Sequence, residues 1–427
     1  MSDRYAYPAD LATFVRDVWN EDPAPSSALT PHLEELLSTA YQATLLRDEE
    51  RHVIFRLVLA PPETFPPTAG PPRGMLRLIF DRPRPYDANE LRRLSPAAKY
   101  ARSLIGVAEI EGELWIWGVV HSGPRWLERT QGGRSLPPEI VGAPLVVRAS
   151  GPGLLAVARG DDTIGELRGG AITRPGMDVF ASRWFPGRFA SVREELFALH
   201  RQARESSDEP WGDLDRDLVR VLSIHMVKRL LATMRANRHG GAIVLLPPES
   251  DGRRHLHFKY SFRDEEPRRR HRTLVLAAME ALARAAAKES LGRPAGWRDY
   301  ATETRDPFPA LDEAIFEISH LIAGLADVDG AVVLSTRWEV LGFSAEIVGE
   351  LPDVPRVAIA RDLEGEKRSF EPTDGVGTRH RSAYRLCAAS KDAMAIVVSQ
   401  DGAVRWVAWH EGEVTCWDHV PSDTNDE

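Results

Sequence analysis

Two short runs carry the side chains that could do chemistry in this chain: Asp329-Gly330-Ala331 and, downstream, Gly377-Thr378-Arg379-His380-Arg381. The first sets a carboxylate where a helical pattern gives way to a buried strand. A carboxylate there can hold Mg²⁺ or Mn²⁺, or accept a proton from a sugar hydroxyl. Gly330 lets a backbone or a ligand come close. Asp327, two residues earlier, reads as a helix-end carboxylate. The second run puts hydroxyl, guanidinium and imidazole groups side by side at the expected start of a helix, where exposed N–H groups and the helix dipole favour an anion. Arg379 and Arg381 offer forked donors matched to phosphate. His380 can donate a hydrogen bond and gain charge beside a polyphosphate. Thr378 either caps the helix or donates to a phosphate oxygen. Taken singly, each run also reads as ordinary surface structure, a loop carboxylate or a capped helix with solvated arginines. Occurring in this order, each beside a buried strand, they point to nucleotide chemistry.

The elements around these runs alternate in type. A long helix is expected over about Asp213–Ala236, stopping at His239-Gly240-Gly241. A buried strand, Ala242–Leu246, follows and ends at Pro247-Pro248, with a second strand at His255–Phe262. The segment 264–272 contains another Arg-His-Arg, Arg270-His271-Arg272, without a preceding Gly-Thr. It reads as a solvated entrance to an Ala-rich helix. A helix over 309–326 leads into the strand DVDGAVVLS, a turn at Thr336-Arg337 and the strand EVLGFSAEIV. A polar loop then reaches GTRHR, a helix (His380–Ala389) and the strands AMAIVVS, AVRWVAWH and EVTCWDH, with a turn at Asp401-Gly402 and a frayed end, PSDTNDE. This pattern predicts an α/β fold over 211–420: a mixed β-sheet covered by helices on both faces.

Residues 1–205 predict a separate, β-rich α+β N-terminal domain. Helices are expected around Leu11–Val18 and Leu33–Leu46, then a strand at His52–Ala60 and a Pro-rich loop at 61–74. Short strands separated by Gly-rich turns run to about 185, and 188–208 reads as a helical connector. Trp115, Trp117 and Trp126 mark an aromatic hairpin, read either as cross-strand packing or as a ligand platform.

Composition narrows the function classes. The chain has 427 residues and a formal net charge of −9, with 43% hydrophobic and 27% charged residues. No strongly basic domain announces nucleic-acid binding, and none is expected. The two cysteines, Cys387 and Cys416, support neither a disulfide framework nor a zinc site. The first residues lack a signal-peptide pattern, and no apolar run is long enough to span a bilayer, so a cytoplasmic location is expected. No GxxxxGK[ST] loop, GxGxxG, HExxH, GxSxG or kinase signature occurs, so a nucleotide site must be built differently.

DGA followed by GTRHR resembles the signature pair of the diadenylate cyclase domain, which makes cyclic di-AMP from two ATP. HLIAGLADVDGAVVL is similar to that family's helix running into its DGA strand, SKDAMAIVVSQDGAV to the strand and turn after its RHR helix, and RANRHGGAIVLLP to its first helix and strand. The resemblance covers about 211–420, with an insertion near 263–308. The N-terminal part, including AYQATLLRDEERHVIFRLVL, resembles a sensor domain found ahead of some such cyclases, the DACNV type. It implies an unknown small-molecule or protein signal at that domain. The resemblance implies that two cyclase domains face each other, each holding one ATP and a divalent metal, so that self-association completes the site. It places Asp329, Gly330 and Ala331 at the ribose and metal side. Gly377, Thr378, Arg379 and His380 would hold the triphosphate, with Arg381 in support and Ser399 touching phosphate. Where the family usually reads Ser-Glu-Glu-Thr-Gly, this chain has Ser399-Gln400-Asp401-Gly402. A metal-side glutamate is thus replaced by an amide or shifted to Asp401. That change motivates a second expectation, a catalytically weak or inactive nucleotide-binding module. The helix-hairpin-helix module of DNA-scanning relatives is not expected here.

Overall fold

A computed structural model describes residues 5–21, 29–71, 74–123, 131–134, 143–160, 162–173, 177–400 and 402–419. The chain is α/β, with mixed sheets and helices, and divides into two compact units. The first comprises Met1–Thr130 and Ser135–Pro175, and the second Gln131–Arg134 and Gly176–Glu427. The helix Ala190–Glu205, read from sequence as a connector closing the first domain, therefore falls within the second unit. The physical reason is local: its Val192 and Leu196 enter a core with Leu218, Val275 and Met279.

The first unit is built on an eight-stranded sheet. Phe55–Leu59 sits inside it, parallel to Ser103–Ile110 on one side and antiparallel to Leu145–Gly151 on the other. Both faces of this strand are buried, which its run Phe-Arg-Leu-Val-Leu requires. Helices Pro8–Glu21 and Leu33–Leu45 cover one face through Leu11, Val15, Leu36 and Leu37. Leu76–Pro85 forms an edge, where Pro83 and Pro85 are tolerated because the outward side needs no ladder hydrogen bond. Trp117 is buried and its indole N–H donates to the Ala60 carbonyl at 2.8 Å. The packing reading of that residue is the one the structure takes, while Trp126 lies outside the described residues.

The second unit holds a nine-stranded mixed sheet. Across it run Leu256–Ser261, Val340–Ile347, Ala331–Ser335, Gly241–Leu246, Met394–Val398, Val404–His410, Glu413–His419, Arg356–Ala360 and Arg368–Pro372. Gly241–Leu246 is fully buried and serves both faces. Ile243 and Leu245 pack with Leu230, Leu231 and Ile322 of helices Leu218–Asn237 and Phe308–Ala326. Val244 and Leu246 pack on the opposite face with Leu386 of helix Thr378–Ala389. Helices thus cover both faces.

Two expectations need correction. The stretch read as a polar loop before GTRHR contains the antiparallel pair Arg356–Ala360 and Arg368–Pro372. Val357, Ala358 and Ile359 are buried because Arg356–Ala360 adds in parallel to Glu413–His419, a long-range partner that local pattern does not show. Second, Arg270-His271-Arg272 is no solvated entrance. It opens helix Arg270–Lys288 with His271 buried, and Arg272 donates to Glu195 Oε1 at 2.5 Å.

Buried histidines set the acid sensitivity of this unit. His271 and His419 are buried, and burial pushes both imidazoles down to about 4. Burial also holds His225, stacked on Trp297 at 4.0 Å, well below the ordinary value. Between pH 6.5 and 4 the unfolded chain takes up protons that the folded chain refuses, so stability falls as pH falls through that window and is level above it. At pH 5 the loss is about 2 kcal/mol for each of His271 and His419. Urea unfolding at pH 7.5 and pH 5 checks this, and an unchanged free energy would contradict it.

Candidate functional site

Three loops meet at one end of the second sheet because of strand direction. Gly241–Leu246 and Ala331–Ser335 run parallel, paired Ala242 with Ala331, so their starts lie together. Met394–Val398 runs the opposite way, Gly241 with Val398, so its end joins them. His239-Gly240, Asp329-Gly330 and Ser399-Gln400 therefore share that end. Thr378–Ala389 brings its N-terminus to the same place, since Arg379 Nη1 donates to the His239 carbonyl at 3.4 Å.

There the two runs read from sequence come together. Arg379 Nη2 lies 4.0 Å from Asp329 Oδ1, with the carboxylate 94% and the guanidinium 34% exposed. An exposed pair at that distance contributes little to stability. The carboxylate stays open to solvent and the guanidinium partly so. Asp329 is held through its backbone, whose carbonyl accepts from Ser344 Oγ at 2.7 Å. Lys259 pairs with Glu346 at 2.9 Å; that bond first, and Asp329 to a lesser degree, hold its ammonium above the usual lysine value. Asp327 is occupied elsewhere, accepting from Asn237 Nδ2 at 2.8 Å.

Gly330 has φ of 107°, and a Cβ there would lie 2.6 Å from the Ser344 carbonyl carbon. Gly330→Ala is expected to cost on the order of 3 kcal/mol from backbone strain and overlap. Equilibrium urea unfolding measures it; a change under about 0.5 kcal/mol, the size of a neutral surface substitution, would contradict the geometry. Gly240 plays a similar part that the sequence disguised as a helix stop. Its φ is +70°, and a Cβ would meet the Val398 carbonyl at 2.9 Å and Arg379 Nη1 at 3.0 Å. A doubled glycine after a helix was the available signal.

The remaining residues take different stations. Gly377, in extended conformation, is the N-cap, so Thr378 is the first helical residue rather than the cap. The Arg381 N–H donates back to the Gly377 carbonyl at 3.2 Å, and the N–H groups before it have no place in the intrahelical ladder. Thr378 and Arg381 are exposed. His380 is half-buried, its ring 6.2 Å from that of Tyr384, whose hydroxyl accepts from Arg405 Nη1 at 3.2 Å. Ala331 is buried in its strand, packing with Leu386 and Ala393, and offers a ligand no side chain. Ser399 is half-buried in a turn closed by its N–H to the Ala403 carbonyl and the Gly402 N–H to its own carbonyl, both 2.9 Å. Asp401 lies outside the described residues.

Among the described residues no three His, Cys, Asp or Glu side chains converge into a metal cluster. The exposed carboxylate oxygens of Asp329 are of the ligand type that hard cations take. Among the described residues no helix is long and apolar enough to cross a membrane.

Comparisons with known proteins bear mainly on the other unit. Residues 20–121 match the family described as "Probable sensor domain DACNV". No curated protein matches the chain. Among solved structures, the chain is similar to a hypothetical membrane spanning protein from Bacillus cereus, at 14% identity over 55% of this chain and 92% of that chain, with a TM-score of 0.24. At that score the likeness carries neither fold nor function.

Proposed function

We propose that this protein is a diadenylate cyclase whose N-terminal unit is a sensor domain. One observation carries the reading: Arg379 reaches to 4.0 Å from Asp329 although the two lie in separate motifs on opposite sides of the strand Arg356–Ala360 in sequence. The match over residues 20–121 supports it, because sensor domains of that type occur in diadenylate cyclases.

In this reading two second units face each other, each with one ATP. The 3′-hydroxyl of one ATP attacks the α-phosphorus of the other, the new P–O bond replaces the bond to pyrophosphate, and the proton passes toward Asp329 or water. Repetition in the opposite sense closes the ring, so two ATP give one cyclic di-AMP and two pyrophosphates. Asp329 orients the attacking hydroxyl. Arg379, the leading N–H groups of its helix and His380 hold phosphate oxygens, with Thr378 and Arg381 at the exposed rim and Ser399 on the adjoining turn. Positioning and charge neutralisation supply most of the acceleration in such transfers. Mg²⁺ or Mn²⁺ held by Asp329, with Asp401 as a second candidate, would neutralise phosphate charge and sharpen the α-phosphorus as an electrophile.

Incubating the whole chain with ATP and either metal, with the product identified by mass, tests the reading. Absence of cyclic di-AMP with both metals, at concentrations where sedimentation shows dimers, would reject it. Gln400 at the usual glutamate position favours a second reading, a module that binds ATP or a cyclic dinucleotide without turnover. Calorimetric binding without product would select that one.

A further inference from the structure

The strand that begins beside Asp329 ends at a hollow the proposed reaction does not use. After Ala331–Ser335 the turn Thr336-Arg337-Trp338 forms one wall. Helices Ala190–Glu205, Leu218–Asn237 and Arg270–Lys288 form the others, and the hollow opens to solvent. Its lining is mostly apolar, with Phe189 stacked on Trp338 at 5.5 Å and 3° and with Val219 and Val275 nearby.

Polar side chains interrupt that lining. His271, 3% exposed, has its Nε2 buried without a hydrogen-bond partner. A buried polar atom left unpaired is costly. Four arginines also line the hollow, and three are tied to carboxylates. Arg272 and Arg337 pair with Glu195 at 2.5 Å and 2.8 Å, and Arg220 with Asp217 at 3.1 Å. Arg193 forms no ion pair among the described residues; its Nη1 donates to the Pro186 carbonyl at 2.6 Å. It keeps further donors for an anion.

We propose that this hollow binds a small aromatic carboxylate, its ring against Phe189, Val219 and Val275 and its carboxylate on Arg193. An apolar pocket with a few converging polar groups is the usual form of a small-molecule site. A flat ring extends the existing Phe189–Trp338 stack, and a carboxylate matches the guanidinium fork.

Titration calorimetry of the whole chain with phenylacetate, and with uncharged phenylacetamide, tests this. Phenylacetate is expected to bind at one site per chain. Arg193→Gln should weaken it about tenfold while leaving phenylacetamide unchanged. Ser223→Trp, which fills the hollow from a half-buried position, should abolish binding of both, with Val275→Phe as a second filling variant should the first not fold by circular dichroism. No saturable binding of phenylacetate to the folded wild type, or binding that survives a folded filling variant, would overturn the proposal.

Discussion

Asp329→Asn is expected to lower the rate of cyclic di-AMP formation by at least about a hundredfold, the usual worth of a positioned acid–base group. The amide keeps the shape of the side chain but neither accepts a proton nor neutralises a cation. Structure should survive it. The carboxylate is 94% exposed and its closest ionic partner is 4.0 Å away, while the backbone bond from Ser344 Oγ is unaffected. Melting temperature and nucleotide affinity separate the outcomes. A folded, ATP-binding, inactive variant is the expected result. Unchanged turnover would remove Asp329 from the chemistry and with it the proposed reaction.

Arg379→Ala is expected to reduce kcat/KM for ATP by at least about a hundredfold, since removing one preorganised donor at a developing charge commonly costs that much. Arg379→Lys should restore little, because a point charge does not reproduce the fork that here spans the His239 carbonyl and the neighbourhood of Asp329. Thermal stability should change by less than about 1 kcal/mol in either variant, as the ion pair is solvated. Steady-state kinetics at several ATP concentrations checks this. An unaltered kcat/KM would place the triphosphate elsewhere.

The central strands were legible because their residues are apolar without alternation. Gly241–Leu246 and Ala331–Ser335 read as buried before any partner is known, and the glycines before them marked where helices stop. The nearness of Asp329 to Arg379 could be expected only through the family resemblance, since it depends on two parallel strands sharing an end. What escaped depends on long-range partners. Val357 and Ile359 become strand residues by pairing beside Glu413–His419, and His271 is buried by neighbours such as Trp338. The hollow escaped for the same reason, being assembled from four separated segments. The roles of Gly330 and Gly240 were visible only as residue type, because the atoms they make room for come from Ser344, Val398 and Arg379.

The segment 263–308, an apparent insertion, is structural lumber rather than ornament. Its Val275, Ala278, Met279, Leu282, Trp297 and Tyr300 close a core against Leu218 and Leu222, while Leu274 reaches the main one. Excising it to obtain a smaller enzyme would strip the flank of the longest helix and leave a sticky, aggregation-prone protein. Any trimmed version has to begin by replacing that apolar cladding.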